Sequence, residues 1–314
     1  MSPELTPLMS QKPLPLDRLA IPLMFGLCAS WGLNQVAAKV AMIDIPPITQ
    51  ATLRSIGAGL ILALYACWRE PSVWRRDGTL IAGLAVGLLF GLEFIALYLA
   101  VQWTSASRAI LFLYTAPFFF ALGAIVFLPQ ERLRPMQWAG LALAFFGVAA
   151  ALLGRDGQGA GIGDIFALAA AALWGATTVL IKASPLRAAP ATKVLLYQLL
   201  GSIPIAALAA YGAGESFPVH ISALSAWALL YQTVWVAGVT YLVWFWLVVH
   251  YRAGELSAFT FLTPVLGVLA GHFLLGDDLS RGFLAALALV AAGIVLVNWP
   301  IRRSDAPASR PDPE

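Results

Sequence analysis

Charge is what this sequence has least of. Asp, Glu, Lys and Arg make up 11% of its 314 residues, against about 25% in soluble domains. So few charges cannot cover a water-facing surface. The net charge of +3 is small and scattered, which excludes a nucleic-acid footprint. Cysteine is nearly absent. Cys28 and Cys67 lie in apolar stretches, so a disulfide scaffold is excluded and both are expected as small core residues. The three histidines, His220, His250 and His272, lie far apart. No His-Glu-x-x-His, Gly-x-Ser-x-Gly or Walker loop occurs, so no metal site, serine-hydrolase centre or ATPase engine is expected, and no cofactor. What abounds is apolar: 60% of residues, with mean hydropathy +0.82. That composition excludes disorder and points to an integral membrane protein.

Ten apolar segments approach the ~20 residues that cross a bilayer as helix. They cover residues 19–39, 49–67, 79–102, 108–128, 136–153, 164–182, 192–211, 223–249, 255–275 and 282–299. They are too long and too unalternating for barrel strands. The first is longer than a signal-peptide core and lacks a small-residue cleavage site, so it is expected to be retained. Residues 1–18 and 302–314 read as polar, Pro-rich tails. With the N-terminus and the even-numbered gaps on one side, that side holds 14 Lys and Arg and the other holds 4, with Arg54 inside a span. Positive charge marks the cytoplasmic side, so both termini are expected there.

The two halves repeat. Trp31-Gly32 with Lys39 recurs as Trp174-Gly175 with Lys182, an offset of 143 that also relates Pro47 and Thr49 to Pro190 and Thr192. Ala106, Pro117 and Glu131 match Ala253, Pro264 and Asp278 at 147, and Gly147 matches Gly293 at 146. Five spans per half is an odd number, so the second half (163–299) enters the membrane inverted relative to the first (19–153). The expected fold is all-α: ten transmembrane helices as two inverted five-helix repeats, with a site near the midplane between them.

The residues Ala29-Ser30-Trp31-Gly32-Leu33-Asn34-Gln35-Val36-Ala37-Ala38-Lys39, then Pro46-Pro47 and Leu53-Arg54, resemble the start of an EamA domain. Thr104-Ser105-Ala106-Ser107, Pro117 and Gln130-Glu131-Arg132-Leu133 resemble its later motifs, and the second half follows the pattern more loosely. Over about 19–299 the chain is similar to the ten-helix exporters of the drug/metabolite transporter superfamily, with the bacterial aromatic amino-acid exporters nearest. The resemblance implies export of amino acids or other small metabolites across a bacterial inner membrane. It also implies a structural role for Arg54, since the family pattern carries Arg there. The departures are Tyr197 at the counterpart of Arg54 and Asp278-Leu279-Ser280 in place of Glu-Arg-Leu; they argue against interchangeable halves.

Arg54 and Glu93 are the charges that lie well inside spans, where an unpaired charge costs several kcal/mol. Glu93 is either a proton or substrate-amine site, or the structural partner of Arg54. Trp31, Asn34 and Gln35 share a helical face, and Trp174, Thr177 and Thr178 have the same spacing in the second half. An aromatic wall with amide and hydroxyl groups suits an amphipathic substrate; the alternative is helix packing. In the aromatic eighth span (Tyr231, Trp235, Tyr241, Trp244, Phe245, Trp246), Trp235, Tyr241 and Trp244 are too deep for the interfacial belt and are cavity candidates. Tyr98 and Tyr114 are weaker candidates. Trp68, Trp103, Trp138, Trp227 and Trp299 read as interface anchors. Pro117 and Pro264, with Gly123 and Gly267 nearby, are either gating hinges or static kinks. The expected partners are a small-molecule substrate and the bilayer, with the chain working as a monomer. A multidrug or nucleotide-sugar transporter of the same fold is the alternative, although a nucleotide sugar needs more mid-depth cations than Arg54 supplies. An intramembrane lipid-modifying enzyme is disfavoured by the repeat and by the lack of a catalytic constellation.

Overall fold

A backbone in hydrocarbon must satisfy its own polar groups, and every regular element among the described residues is helical, with no strand. The computed structural model describes residues 17–128, 135–153, 161–251, 256, 259, 260 and 262–298. The helices are α1 (Ala20–Ala41), α2 (Pro47–Arg69), α3 (Leu80–Trp103), α4 (Ala106–Leu113), α5 (Ala116–Phe127), α6 (Pro135–Leu153), α7 (Ile162–Ala183) and α8 (Ala191–Gly212). They continue as α9 (Ala223–Leu230), a π-helical stretch (Tyr231–Thr240), α10 (Tyr241–His250), α11 (Leu262–Leu275) and α12 (Arg281–Asn298). Among the described residues seven stretches are long and apolar enough to cross a membrane: α1, α2, α3, Ala106–Phe127, α7, α8 and Ala223–Trp244. Pro135–Ala151, Leu262–Leu275 and Arg281–Leu296 are apolar but shorter. Most of both tails, the 130–133 motif, Ala253 and Trp299 lie outside the described residues.

Local chemistry sets the ends. Ser105 and Ser222 accept the backbone N–H three residues on, which caps α4 and α9. Pro47 opens α2, where its missing N–H costs nothing. Gly78 and Gly214 turn the chain at φ 76° and 71°, a region that side chains resist. The fourth expected span is broken at Tyr114–Thr115, and Pro117 lies in the first turn of α5. Pro264 likewise lies in the first turn of α11. Each proline therefore starts a helix rather than kinking one.

The halves pack against each other. α1 lies on α11, α2 on α8, α3 on α7 and α8, α5 on α7, and α6 on α12. The crossings are tight because they are built on glycine. A methyl added at Gly32 would sit 2.7 Å from the Gly267 nitrogen, and one at Gly175 2.7 Å from the Phe120 nitrogen. The offsets that relate the halves, 143 and 147, carry the first contact onto the second. A methyl at Gly147 would meet Ala286 and Val290, and one at Gly293 would meet Gly140 and Ala144; these are again matched pairs. Small residues at helix crossings let backbones approach where lipid offers no hydrophobic drive.

The outer faces stay apolar: Leu64, Ile81 and Leu208 are all more than 60% exposed. Trp68, Trp103, Trp138 and Trp227 stand exposed near helix ends. Cys28 is buried as expected, but Cys67 is exposed on the outer face of α2 near its end. Its stretch is apolar because it faces outward, not because it is core.

Candidate functional site

Between the halves lies a cavity of about 1180 Å3. Its wall begins deep in the bundle at Trp31, Asn34 and Gln35 of α1, Arg54 of α2 and Glu93 of α3. It runs to Phe127 and Leu128 at the end of α5 and to Lys182, Arg187 and Ala191 around the α7–α8 connection. The cavity opens at that end of the bundle and is blind at the other.

Side chains from several elements converge on it. Trp31 meets Trp244 edge to face at 5.5 Å between ring centroids and donates its indole N–H to the Thr240 hydroxyl at 2.9 Å. Trp174 meets Tyr114 edge to face at 5.7 Å. Edge-to-face pairs fix ring planes and leave flat aromatic surface towards the cavity. Asn34 donates to the Gln35 side-chain oxygen at 3.0 Å, while its own carbonyl oxygen is buried without a partner. Tyr241 completes the wall from α10. On α3, Phe90, Glu93, Phe94 and Leu97 form one stripe at i, i+3, i+4 and i+7, and all four line the cavity. The Arg54 guanidinium lies 4.2 Å above the Phe94 ring.

Among the ten residues expected at the substrate, Trp31, Asn34, Gln35, Glu93, Trp174, Tyr241 and Trp244 lie on the cavity wall, and Pro117 joins them. Tyr98, Thr178 and Trp235 do not. Tyr98 is five residues past Glu93, a turn of about 140°, and its hydroxyl donates to Gln232 at 2.6 Å in a buried helix interface. Thr178 is on the right helix, but its hydroxyl bonds the Trp174 carbonyl one turn back. Thr177 does the same with Leu173. The second half therefore offers the cavity no counterpart of Asn34 and Gln35. Trp235 is half exposed and donates to Ser30 from outside the cavity. The cause is the π-helical stretch, in which i and i+5 stack, so Val236 rather than Trp235 falls in line with Tyr241. The Phe245 side chain lies outside what is described.

Arg54 stands on the wall, 1% exposed, and forms no ion pair with Glu93. Neither group hydrogen-bonds a described residue, and Arg54 Nε and Nη1 and Glu93 Oε2 are buried without partners. Sequence reasoning missed Phe90, Phe94 and Gln198 on the wall. The first two were legible as the i−3 and i+1 neighbours of Glu93; Gln198, on α8, carries no sequence signal.

The blind end is tied shut across the halves. Glu215 takes the Ile48 and Thr49 N–H groups and the Thr49 hydroxyl, capping α2. Asp44 takes the Ser222 N–H and hydroxyl. Asp277 takes the Ser107 N–H at 2.8 Å. The fully buried Asp164 takes Arg108 in a two-pronged ion pair and the Thr104 hydroxyl. Carboxylates on helix N-termini are favoured by the exposed N–H groups there.

A family model described as the EamA-like transporter family matches residues 18–153 and again 161–299. The chain is 29% identical over 303 residues to the uncharacterized transporter YvbV of Bacillus subtilis, covering 95% of this chain and 97% of that one. It is 30% identical to a probable amino-acid metabolite efflux pump of Salmonella typhimurium, over 87% of this chain and 93% of the other. A solved crystal structure at 21% identity matches with TM-score 0.63 over 90% of this chain and 96% of its own, which shows a shared fold. The names of the family and of these two relatives are those of transporters rather than of enzymes.

Proposed function

The chain belongs to the EamA-like transporter family, and on that premise we propose that it exports small amphipathic metabolites, amino acids with aromatic or hydrophobic side chains above all. The carrying observation is the cavity: closed at one end and open at the other, walled by Trp31, Trp174, Tyr241 and Trp244, with Asn34 and Gln35 among them. An apolar side chain packs on the rings while polar groups hold the other end of the molecule. The relatives of Salmonella typhimurium and Escherichia coli that are named as probable amino-acid metabolite efflux pumps support the substrate class.

The mechanism is alternating access between two inverted repeats, each of five membrane-spanning segments. Its support is the matched packing, in which the Gly32 crossing on Gly267 maps onto the Gly175 crossing on Phe120. Exchange of the two halves' conformations would close the open end and open the blind one. The open end carries the excess of Lys and Arg, so it faces the cytoplasm of a bacterial inner membrane, with both termini on that side. The cavity then stands ready to load substrate from the cell.

Flux in proteoliposomes tests this, with phenylalanine, leucine, alanine and a nucleotide sugar as the panel, with and without an imposed pH gradient. Counterflow of phenylalanine above alanine is expected. Trp174→Ala should cut phenylalanine flux more than alanine flux in protein that is still folded. Flux of the nucleotide sugar alone would move the reading to the same-fold alternative. Dependence on the gradient separates proton antiport from facilitated export.

A further inference from the structure

Two opposite charges stand in the cavity wall with no salt bridge between them. From the blind end, Arg54 lies seven residues into α2 and Glu93 ten residues into α3, depths of about 10 Å and about 15 Å at helical rise. Both are at most 5% exposed and both line the cavity. No ion pair joins them, and neither accepts or donates a hydrogen bond with a described residue. A buried guanidinium and carboxylate left in this condition are costly unless something in the cavity meets them. The fold has nevertheless invested in holding the cation still, since the Phe94 ring lies 4.2 Å beneath the guanidinium. Stacking fixes the plane of the fork and leaves its edge N–H donors available. On the acceptor side, the Asn34 carbonyl oxygen is also buried without a donor.

We propose that Arg54 and Glu93 are the polar half of the substrate site: the Arg54 fork receives a carboxylate, and Glu93, with the Asn34 carbonyl, receives an ammonium. This rests on the transport reading and narrows its substrate class to zwitterions that carry both charges close together, with an apolar side chain directed at Trp31 and Trp174. A guanidinium matches a carboxylate through two parallel hydrogen bonds, which an amine or an ester cannot supply. The role of Arg54 is then recognition rather than fold support. The second half carries Tyr197 at the matching place, so the cavity holds one such site and not two.

The test is competition against phenylalanine counterflow by three probes: phenethylamine, which lacks the carboxylate; phenylalanine methyl ester, which masks it; and 3-phenylpropionate, which lacks the amine. In the wild-type protein each should compete at least about tenfold less well than phenylalanine. Arg54→Gln should erase discrimination against phenethylamine and the ester yet keep it against 3-phenylpropionate. Glu93→Gln should do the reverse. If Arg54→Gln does not fold, Arg54→Lys serves, because it keeps the charge and loses the fork; a partial loss of discrimination against the ester is expected. Variants that lose all compounds in equal measure, or discriminate as the wild type does, overturn the proposal. Wild-type phenylalanine flux with no discrimination among the probes overturns it too, while the transport reading stands. Absence of substrate-dependent flux for every amino acid removes both.

Discussion

The blind and open ends of the bundle are made of corresponding parts and are tied differently. At the blind end Thr104 and Arg108 converge on Asp164 in the first turn of α7. At the open end Tyr251, which the 147 offset relates to Thr104, donates to Asp17 just before α1 at 3.0 Å. The first carboxylate is fully buried and holds a guanidinium; the second is exposed and holds a phenol. The α2 and α8 N-termini differ in the same way. Glu215 caps α2 directly, whereas near α8 Asp77 binds the Lys193 ammonium at 2.8 Å with its own side chain 40% exposed. A two-fold arrangement alone would make two ends of equal strength. The helix crossings are matched between the halves whereas the polar ties are not, and the more deeply buried ties stand at the end where the cavity is blind.

Removing the strongest tie should have the largest effect. Asp164→Ala leaves Arg108, whose side chain is 18% exposed, without its carboxylate, and the loss should lie at the lower end of the about 3–5 kcal/mol found for fully buried pairs. Lys193→Met at the open end breaks a half-exposed pair and should cost about 1 kcal/mol or less. Thermal unfolding of the two variants in one detergent measures the contrast. Equal losses would mean that the two ends are equally strong. Asp164→Ala should also raise labelling of a cysteine placed near the blind end of the cavity, since the tie it removes joins the halves there.

The packing should behave in the opposite way, alike in the two halves. Gly32→Ala and Gly175→Ala each drive a methyl to 2.7 Å from a backbone nitrogen. Overpacking of that kind costs about 1–3 kcal/mol, and the two variants should agree within that range. A large difference in unfolding temperature between them would show that the crossings are matched in sequence but not in mechanics.

Helix positions were legible because twenty-residue apolar runs have few alternatives, and the repeat was legible because Trp-Gly-x6-Lys is improbable by chance. Deep aromatic residues were partly legible: Trp31 and Trp174 lie on the wall, as their shared spacing suggested. Three failures had local causes. Trp235 was displaced by a π-helical stretch, a register change that leaves no mark in composition. Thr177 and Thr178 turned inward to their own helix. Tyr98, five residues past Glu93, turned to Gln232 in a buried helix interface instead of to the cavity. The buried Asp164 is the first residue of the sixth apolar segment, where a carboxylate reads as an interfacial helix end rather than as a buried partner for Arg108.

The smallest effect concerns pH, and its sign follows from which groups are shifted. The Ser222 hydroxyl and N–H hold the Asp44 carboxyl down to about 2, from 3.8. The Lys193 ammonium, helped by the Thr79 hydroxyl, holds Asp77 down to about 2. A carboxyl depressed by folding stabilises fully above its unfolded value and loses that contribution as pH falls through its folded value. The ties at both ends should therefore be indifferent to acidification from pH 7 to 5. Their loss should begin below about 4 and be complete only below about 2. The difference in unfolding temperature between the wild type and Asp44→Asn should be flat from pH 7 to 5 and shrink towards zero below that. The same curve for Asp77→Asn should have the same shape at the other end of the molecule. A difference that already shrinks between pH 7 and 5 would mean that the Asp44 carboxyl titrates near neutrality. The blind end would then be a pH-sensitive gate rather than one held by permanently ionised caps.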